Sequence, residues 1–264
     1  MILIQFILFL QLFQVNALYF PSNPHIPSMQ QIKEEYQLPF DLVDLQYETT
    51  DKETIHLYYG LHPHSSKMIL LFQSNAGCFL DRISLLKAYY QSFGISIGIL
   101  SYRGYGASTG KPSEQGFIED AICGIKELNK IGIQSEDIIV IGRSIGVGVT
   151  LNAALHLPIK KIILENGFTS LMDFIPNLSD KNLMLRDPWE NNAKIDLLKK
   201  DVSVLFLLSE NDEIVPTWMT KKMEEHAKTI GLKTHLKSFK GAKHMNLPSY
   251  REYYSTIKKF IEEN

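Results

Sequence analysis

The chain has 264 residues, 45% of them hydrophobic, with 27 Lys and Arg against 29 Asp and Glu and a formal net charge of −2. That length fits one domain of the α/β size range, and the hydrophobic fraction is ordinary for a buried parallel sheet. A near-neutral balance without a basic aromatic patch excludes a nucleic-acid binder held by phosphate contacts.

Residues 1–20 are almost wholly apolar, carry no Lys or Arg, and are interrupted by Gln5, Gln11, Gln14 and Asn16. Two readings stand. The apolar block 2–13 followed by Val15-Asn16-Ala17 has the form of a cleaved signal peptide. Twenty residues also just suffice for a single membrane anchor. A buried soluble helix is the bland alternative. The first two send the following domain, residues 21–264, into the secretory pathway, secreted, lumenal or membrane-anchored. Asn177-Leu178-Ser179 would then be a glycosylation acceptor.

Apolar, β-branched runs predict strands over 42–48, 54–59, 68–72, 96–101, 138–141, 161–164, 202–208 and 234–239. Helical periodicity predicts helices over 83–92, 113–130, 145–155, 215–230 and 249–263. The first two strands have no helix between them, so they form an antiparallel hairpin at a sheet edge. The remainder alternates strand and helix. The expected fold is α/β, with a mostly parallel eight-stranded sheet and helices on both faces. The interval 170–200, with Pro176, Asn177 and Pro188, leaves room for a short helix or two above the site. It is too short for a separate lid domain, so the cap is minimal.

The most informative stretch is Gly142-Arg143-Ser144-Ile145-Gly146, which follows the strand at 138–141 and opens the helix at 145–155. Strand, sharp turn and helix with a serine at the apex form the context of a nucleophile elbow. Glycines two positions either side of the serine allow close backbone approach. A serine hydroxyl needs a base, and the base needs an orienting carboxylate. The chain order for this arrangement is serine, acid, histidine. Glu210, Asp212 and Glu213 follow the strand at 202–208. Spacing favours Asp212, since Glu210 falls too early in the turn and Glu213 reads as the first turn of the next helix. The competing role for Asp212 is a helix N-cap.

Of eight histidines, His244 lies in the loop between the last strand and the last helix, in Gly241-Ala-Lys-His244. His25, His56, His62 and His64 precede Ser144. His156 sits on the elbow helix, and His226 and His235 fall on a helix and a strand. The tetrahedral oxyanion needs two donors. One is the N–H of Ile145, after the nucleophile. The other is expected in the loop after the strand at 68–72, Gln73-Ser74-Asn75-Ala76-Gly77, where Asn75 is the nominated donor.

Taken together with Tyr19-Phe-Pro21, Ser101-Tyr-Arg-Gly104-Tyr-Gly106-Ala-Ser108 and Leu164-Glu-Asn166-Gly-Phe-Thr-Ser170, these motifs resemble the α/β-hydrolase superfamily. The likeness is to its small membrane-anchored hydrolase-domain proteins, the bud-emergence type and the protein depalmitoylase type. The resemblance implies a serine hydrolase of esters, thioesters or occasionally peptides, with the triad Ser144, Asp212 and His244. The implied substrate is a small or acylated molecule, and no cofactor is implied. One departure stands out: the family usually has His-Gly before Asn-Ala-Gly, and here the pair is Gln73-Ser74. A catalytically degenerate protein that binds a hydrophobic ligand or partner in the same pocket, or a serine peptidase, is the alternative.

Other patterns carry less. Gly104-Tyr-Gly106-Ala-Ser-Thr-Gly110-Lys111 misses the phosphate-loop spacing, and Pro112 replaces the required hydroxyl residue. It reads as a glycine-rich loop. His62-Pro63-His64 has no further ligand cluster, so no metal is expected. Cys78 and Cys123 form no spaced motif, and Cys78 is expected to line the pocket as a small apolar residue.

Overall fold

The computed structural model describes residues 18–174 and 187–263. Its main sheet is built from β1 (Val43–Glu48), β2 (Thr54–Gly60), β3 (Met68–Phe72), β4 (Ser96–Ser101), β5 (Ile138–Arg143), β6 (Lys161–Glu165), β7 (Ser203–Ser209) and β8 (Lys233–Phe239). The spatial order is β8-β7-β6-β5-β3-β4-β2-β1. β2 runs antiparallel to both β1 and β4, and the rest is parallel. The predicted edge hairpin and parallel sheet are therefore both present.

Side chains leave a strand alternately to its two faces, and this sequence is apolar at both sets of positions. Met68, Leu70 and Phe72 of β3 enter one core layer, with Val140, Leu164 and Phe206. Ile69 and Leu71 enter the other, with Ile139, Ile141, Ile163, Leu205 and Leu207. The first layer is covered by α3 (Glu114–Lys130), α4 (Gly146–His156) and α6 (Thr217–Thr229). The second is covered by α2 (Ile83–Phe93) and α7 (Arg251–Glu262). α7 shows why such helices fold onto a sheet: Tyr253, Ile257, Phe260 and Ile261 form one buried stripe at helical spacing.

One helix has no counterpart in the sequence reading, and a second is the short one for which the 170–200 interval left room. α1 (Met29–Tyr36) has a polar sequence with Ile32 as its one buried residue. It is fixed locally by a capping box between Ser28 and Gln31 and ends at Gln37 in the left-handed region. α5 (Asn191–Ile195) is little more than one turn. It lies within the 170–200 interval, together with a 3₁₀ turn at Met172–Phe174. The acceptor tripeptide at 177–179 and residues 1–17 lie outside the described residues.

Leu18, Tyr19 and Phe20, counted with the N-terminal segment in the sequence reading, belong to the folded unit. Phe20–Pro21 pairs in parallel with Ala76–Gly77. The buried Tyr19 hydroxyl donates to Asp187 Oδ2 at 2.9 Å and accepts from Trp189 Nε1 at 3.1 Å. Among the described residues, no helix is long and apolar enough to cross a membrane.

β3 pairs with β4 on one side and β5 on the other, and the helices that follow them, α2 and α4, lie on opposite faces. The loops after β3 and β5 thus part at the carboxyl edge. Open α/β sheets place their sites in such a crevice.

Candidate active site

Ser144 stands between β5 and α4 with φ +55°. A non-glycine residue held there costs of order 1–3 kcal/mol, so the surroundings must over-determine it. They do so in three ways. The Ser144 N–H donates to Glu165 O at 2.9 Å, and Ser144 O accepts from Val147 N at 3.0 Å. A Cβ on Gly146 would lie 2.1 Å from Phe72 O, and one on Gly142 would lie 2.4 Å from Gly146 O. The turn therefore closes only with glycine at both places. Beneath it Arg143 pairs with Glu165 at 2.7 Å, both buried. Glu165 Oε2 accepts from the Tyr253 hydroxyl at 2.9 Å, and that hydroxyl meets Tyr89 at 2.5 Å. Arg143 and Glu165 each lie in a motif of the sequence, yet nothing in the sequence pairs them.

Asp212 follows β7. Its Oδ1 accepts the N–H groups of Ile214 at 2.9 Å and Val215 at 2.8 Å, and its Oδ2 meets His244 Nδ1 at 2.7 Å. The side chains of Asp212 and His244 are 1% and 3% exposed. One oxygen of this carboxylate thus orients His244 and the other closes the turn at 212–215, so Asp212 does not cap the helix that follows. α6 begins only at Thr217, after Pro216. Glu213 consequently lies in the turn, not in a first helical turn as its spacing suggested. Its Oε2 accepts the His244 N–H at 3.1 Å, and that hydrogen bond holds the Glu213 carboxyl below the usual range. Asn166, at φ +49° past β6, completes the support. Its Nδ2 donates to His244 O at 2.8 Å, and its Oδ1 accepts Ser209 N at 2.8 Å. The other histidines engage elsewhere, such as His56 with Asp44, His226 with Asp196 and His156 with Asn152 O.

The loop after β3 forms the facing wall. Its bend falls on Gly77, at φ +85°, and Ser74 is not among the residues with positive φ. A serine at position 74 therefore meets no left-handed strain. Asn75 O accepts from Phe20 N at 2.8 Å and from the Tyr105 hydroxyl at 2.6 Å, and Asn75 Nδ2 donates to Leu18 O at 2.7 Å. These bonds fix the Asn75–Ala76 peptide and the Asn75 side chain. Among the described residues, neither the Asn75 nor the Ile145 N–H donates a backbone hydrogen bond. The Gln73 side chain is buried, and its amide finds no partner among the described residues. Cys78, expected in the pocket, instead lies buried behind the loop, and burial pushes its thiol pKa up.

A cavity of about 550 Å³ joins these parts. Ser144, Ile145, His244, Ser74, Asn75, Ala76 and Arg82 line it, with an apolar remainder from Leu18, Phe20, Phe168, Leu171, Phe174, Ile214, Val215 and Met245. Ser144, Asp212 and His244, chosen from the sequence, are thus gathered at one end of the sheet. Asp212 stands one hydrogen bond behind the cavity.

No protein-family model matches the chain. It is 32% identical to protein bem46 of Schizosaccharomyces pombe over 272 residues, 97% of this chain and 88% of that one. It is 31% identical to the α/β hydrolase domain-containing protein WAV2 of Arabidopsis thaliana over 274 residues, 95% and 88% of the two. The chain belongs to this α/β-hydrolase family. Its fold is matched by the esterase Pf2001 of Pyrococcus furiosus with a TM-score of 0.73 at 16% identity, across 92% of this chain and 98% of the esterase.

Proposed function

We propose that the protein is a serine hydrolase that cleaves a carboxylic ester or thioester, of lipid or acyl-protein type, through an acyl-enzyme on Ser144. The reading is carried by one observation: Ser144, strained at φ +55°, shares a cavity with His244, whose Nδ1 is held by the buried Asp212 carboxylate.

Ser144 Oγ attacks the carbonyl carbon while His244 Nε2 takes the hydroxyl proton. Asp212 keeps the His244 N–H on Nδ1, leaving Nε2 as the base, and stabilises the imidazolium that forms. The N–H groups of Ile145 and Asn75 donate to the oxyanion, each worth about 10²–10³ in rate. The C–O or C–S bond then breaks and the imidazolium returns its proton to the leaving alkoxide or thiolate. Water, deprotonated by His244, attacks the acyl ester, and Ser144 regains its proton. The apolar wall around Phe168, Leu171 and Phe174 suits an acyl chain. This chemistry uses no group beyond the chain itself. The apolar residues before Leu18 would bring the domain to a membrane or into the secretory pathway.

A fluorophosphonate probe tests the reading. Wild type should label at Ser144 and hydrolyse p-nitrophenyl esters, with the panel of chain lengths giving the preferred acyl group. Ser144→Ala should do neither while keeping its circular dichroism spectrum. An unlabelled, folded wild-type chain would favour the degenerate ligand-binding reading.

A further inference from the structure

Resting on that hydrolase reading, we propose that Arg82 recognises an anionic group on the substrate. The substrates are then esters or thioesters that carry a carboxylate or phosphate beside an apolar chain.

The inference begins from the company Arg82 keeps. Arg103 is held by Asp120 and Asp51 at 2.8 and 2.6 Å, and Arg143 by Glu165 at 2.7 Å. Arg82 has no carboxylate partner among the described residues. Its Nη2 donates to Ala76 O at 3.1 Å, while its contacts with Ser74 Oγ at 3.5 Å and Asp81 O at 3.4 Å are at the limit of a hydrogen bond. Its Nε is buried and finds no partner among the described residues. The adjacent Asp81 carboxylate instead accepts the Cys78 N–H at 2.7 Å.

A guanidinium offers five N–H donors in a planar fork. Holding one partly out of water with most donors idle is unfavourable. Burial first, and then the nearby Arg143 charge, lower the Arg82 pKa, with the adjacent Asp81 carboxylate offsetting only part of the effect. Among the described residues, the cavity that Arg82 shares with Ser144 has no Asp or Glu on its wall. A carboxylate or phosphate entering it would meet the Arg82 guanidinium, a fork suited to two parallel hydrogen bonds, while the neighbouring Asp81 carboxylate is engaged by the Cys78 N–H. Because Arg82 and Ser144 face the same space, the anion and the scissile carbonyl belong to one molecule. The apolar wall takes the rest of it.

Two esters of equal chain length separate charge from size: p-nitrophenyl hexanoate and the mono-p-nitrophenyl ester of adipic acid. Wild type should show the higher kcat/KM on the adipate ester. Arg82→Gln should lose about tenfold or more on that ester, the worth of a charged hydrogen bond, and less than about threefold on the hexanoate ester. Arg82→Lys should keep part of the preference. An equal loss on both esters would mean that Arg82 only braces the loop through Ala76, and the proposal fails. A wild-type kcat/KM on the adipate ester at or below that on the hexanoate ester overturns it without any variant.

Binding to the Ser144→Ala protein reads Arg82 independently of turnover. Decanoate or decyl phosphate should bind about tenfold or more tightly than decanol, and Arg82→Gln on that background should abolish the difference. The tighter of the two acids names the anion. Equal binding of acids and alcohol sinks the proposal. If no ester is hydrolysed and Ser144 does not label, the hydrolase reading falls, while the binding measurement still decides the role of Arg82.

Discussion

His244 Nδ1 lies 2.7 Å from Asp212 Oδ2, while the other Asp212 oxygen receives the backbone N–H groups of Ile214 and Val215. The two backbone bonds lock the carboxylate, so it cannot turn to accommodate an amide. Asp212→Asn must either present an NH₂ to the imidazole or break the turn. Facing an amide donor, His244 would carry its proton on Nε2 and lose its function as a base. The expected result is a fall in kcat of about 10³–10⁴ with the fold retained, measured on p-nitrophenyl esters.

The neighbouring carboxylates should behave differently. Glu213 supports His244 through its backbone N–H at 3.1 Å. Glutamine can still accept there, so Glu213→Gln should change kcat less than about threefold, whereas Glu213→Ala loses the acceptor and should cost more. Glu210 is exposed and Glu210→Gln should be silent. A larger loss at Glu210 than at Asp212 would move the acid to position 210.

Ser144 sits at φ +55°, where glycine is at ease and alanine is not. Ser144→Ala and Ser144→Gly should both abolish turnover. In thermal unfolding, Ser144→Gly should nevertheless be the more stable of the two by about 1 kcal/mol, since it releases left-handed strain. Equal melting temperatures would show that the turn is not strained at the serine.

The loop at Gln73-Ser74 yields a further test. Since Ser74 does not have positive φ, Ser74→Gly gains no relief and should lower stability by about 0.4–1 kcal/mol through unfolded-state entropy. Combined with Gln73→His, it should keep or raise the acylation rate. Asn75→Pro removes the proposed donor and should slow acylation by about 10²–10³ in protein shown to be folded. An unchanged burst would place the donor elsewhere in the loop, at Ala76 first.

All eight main-sheet strands and five of the helices were legible because their apolar positions are dense and the interruptions are turns. Met29–Tyr36 was not, because its stability comes from a capping box and one buried isoleucine, a signal too short for periodicity. Ser144, Asp212 and His244 could be read from chain order and loop position. The groups that hold them could not. Arg143 with Glu165, Glu213, Asn166 and Tyr105 act through contacts between residues distant in sequence, or through backbone atoms that carry no residue signature. Arg82 was silent for a related reason: which of its donors are engaged is visible only in three dimensions.

The parallel pairing of Phe20–Pro21 with Ala76–Gly77 makes the first described residues a seam rather than a lead-in. Phe20 N, Ser22 N and Leu18 O all join the Asn75–Gly77 loop, and Leu18 and Phe20 are themselves cavity wall. A shortened chain made without the apolar residues before position 18 must therefore keep Leu18. Cutting at Ser22 would unzip the loop that faces Ser144 and open the cavity to water. Loss of activity in such a truncation would report a torn seam, not a missing address.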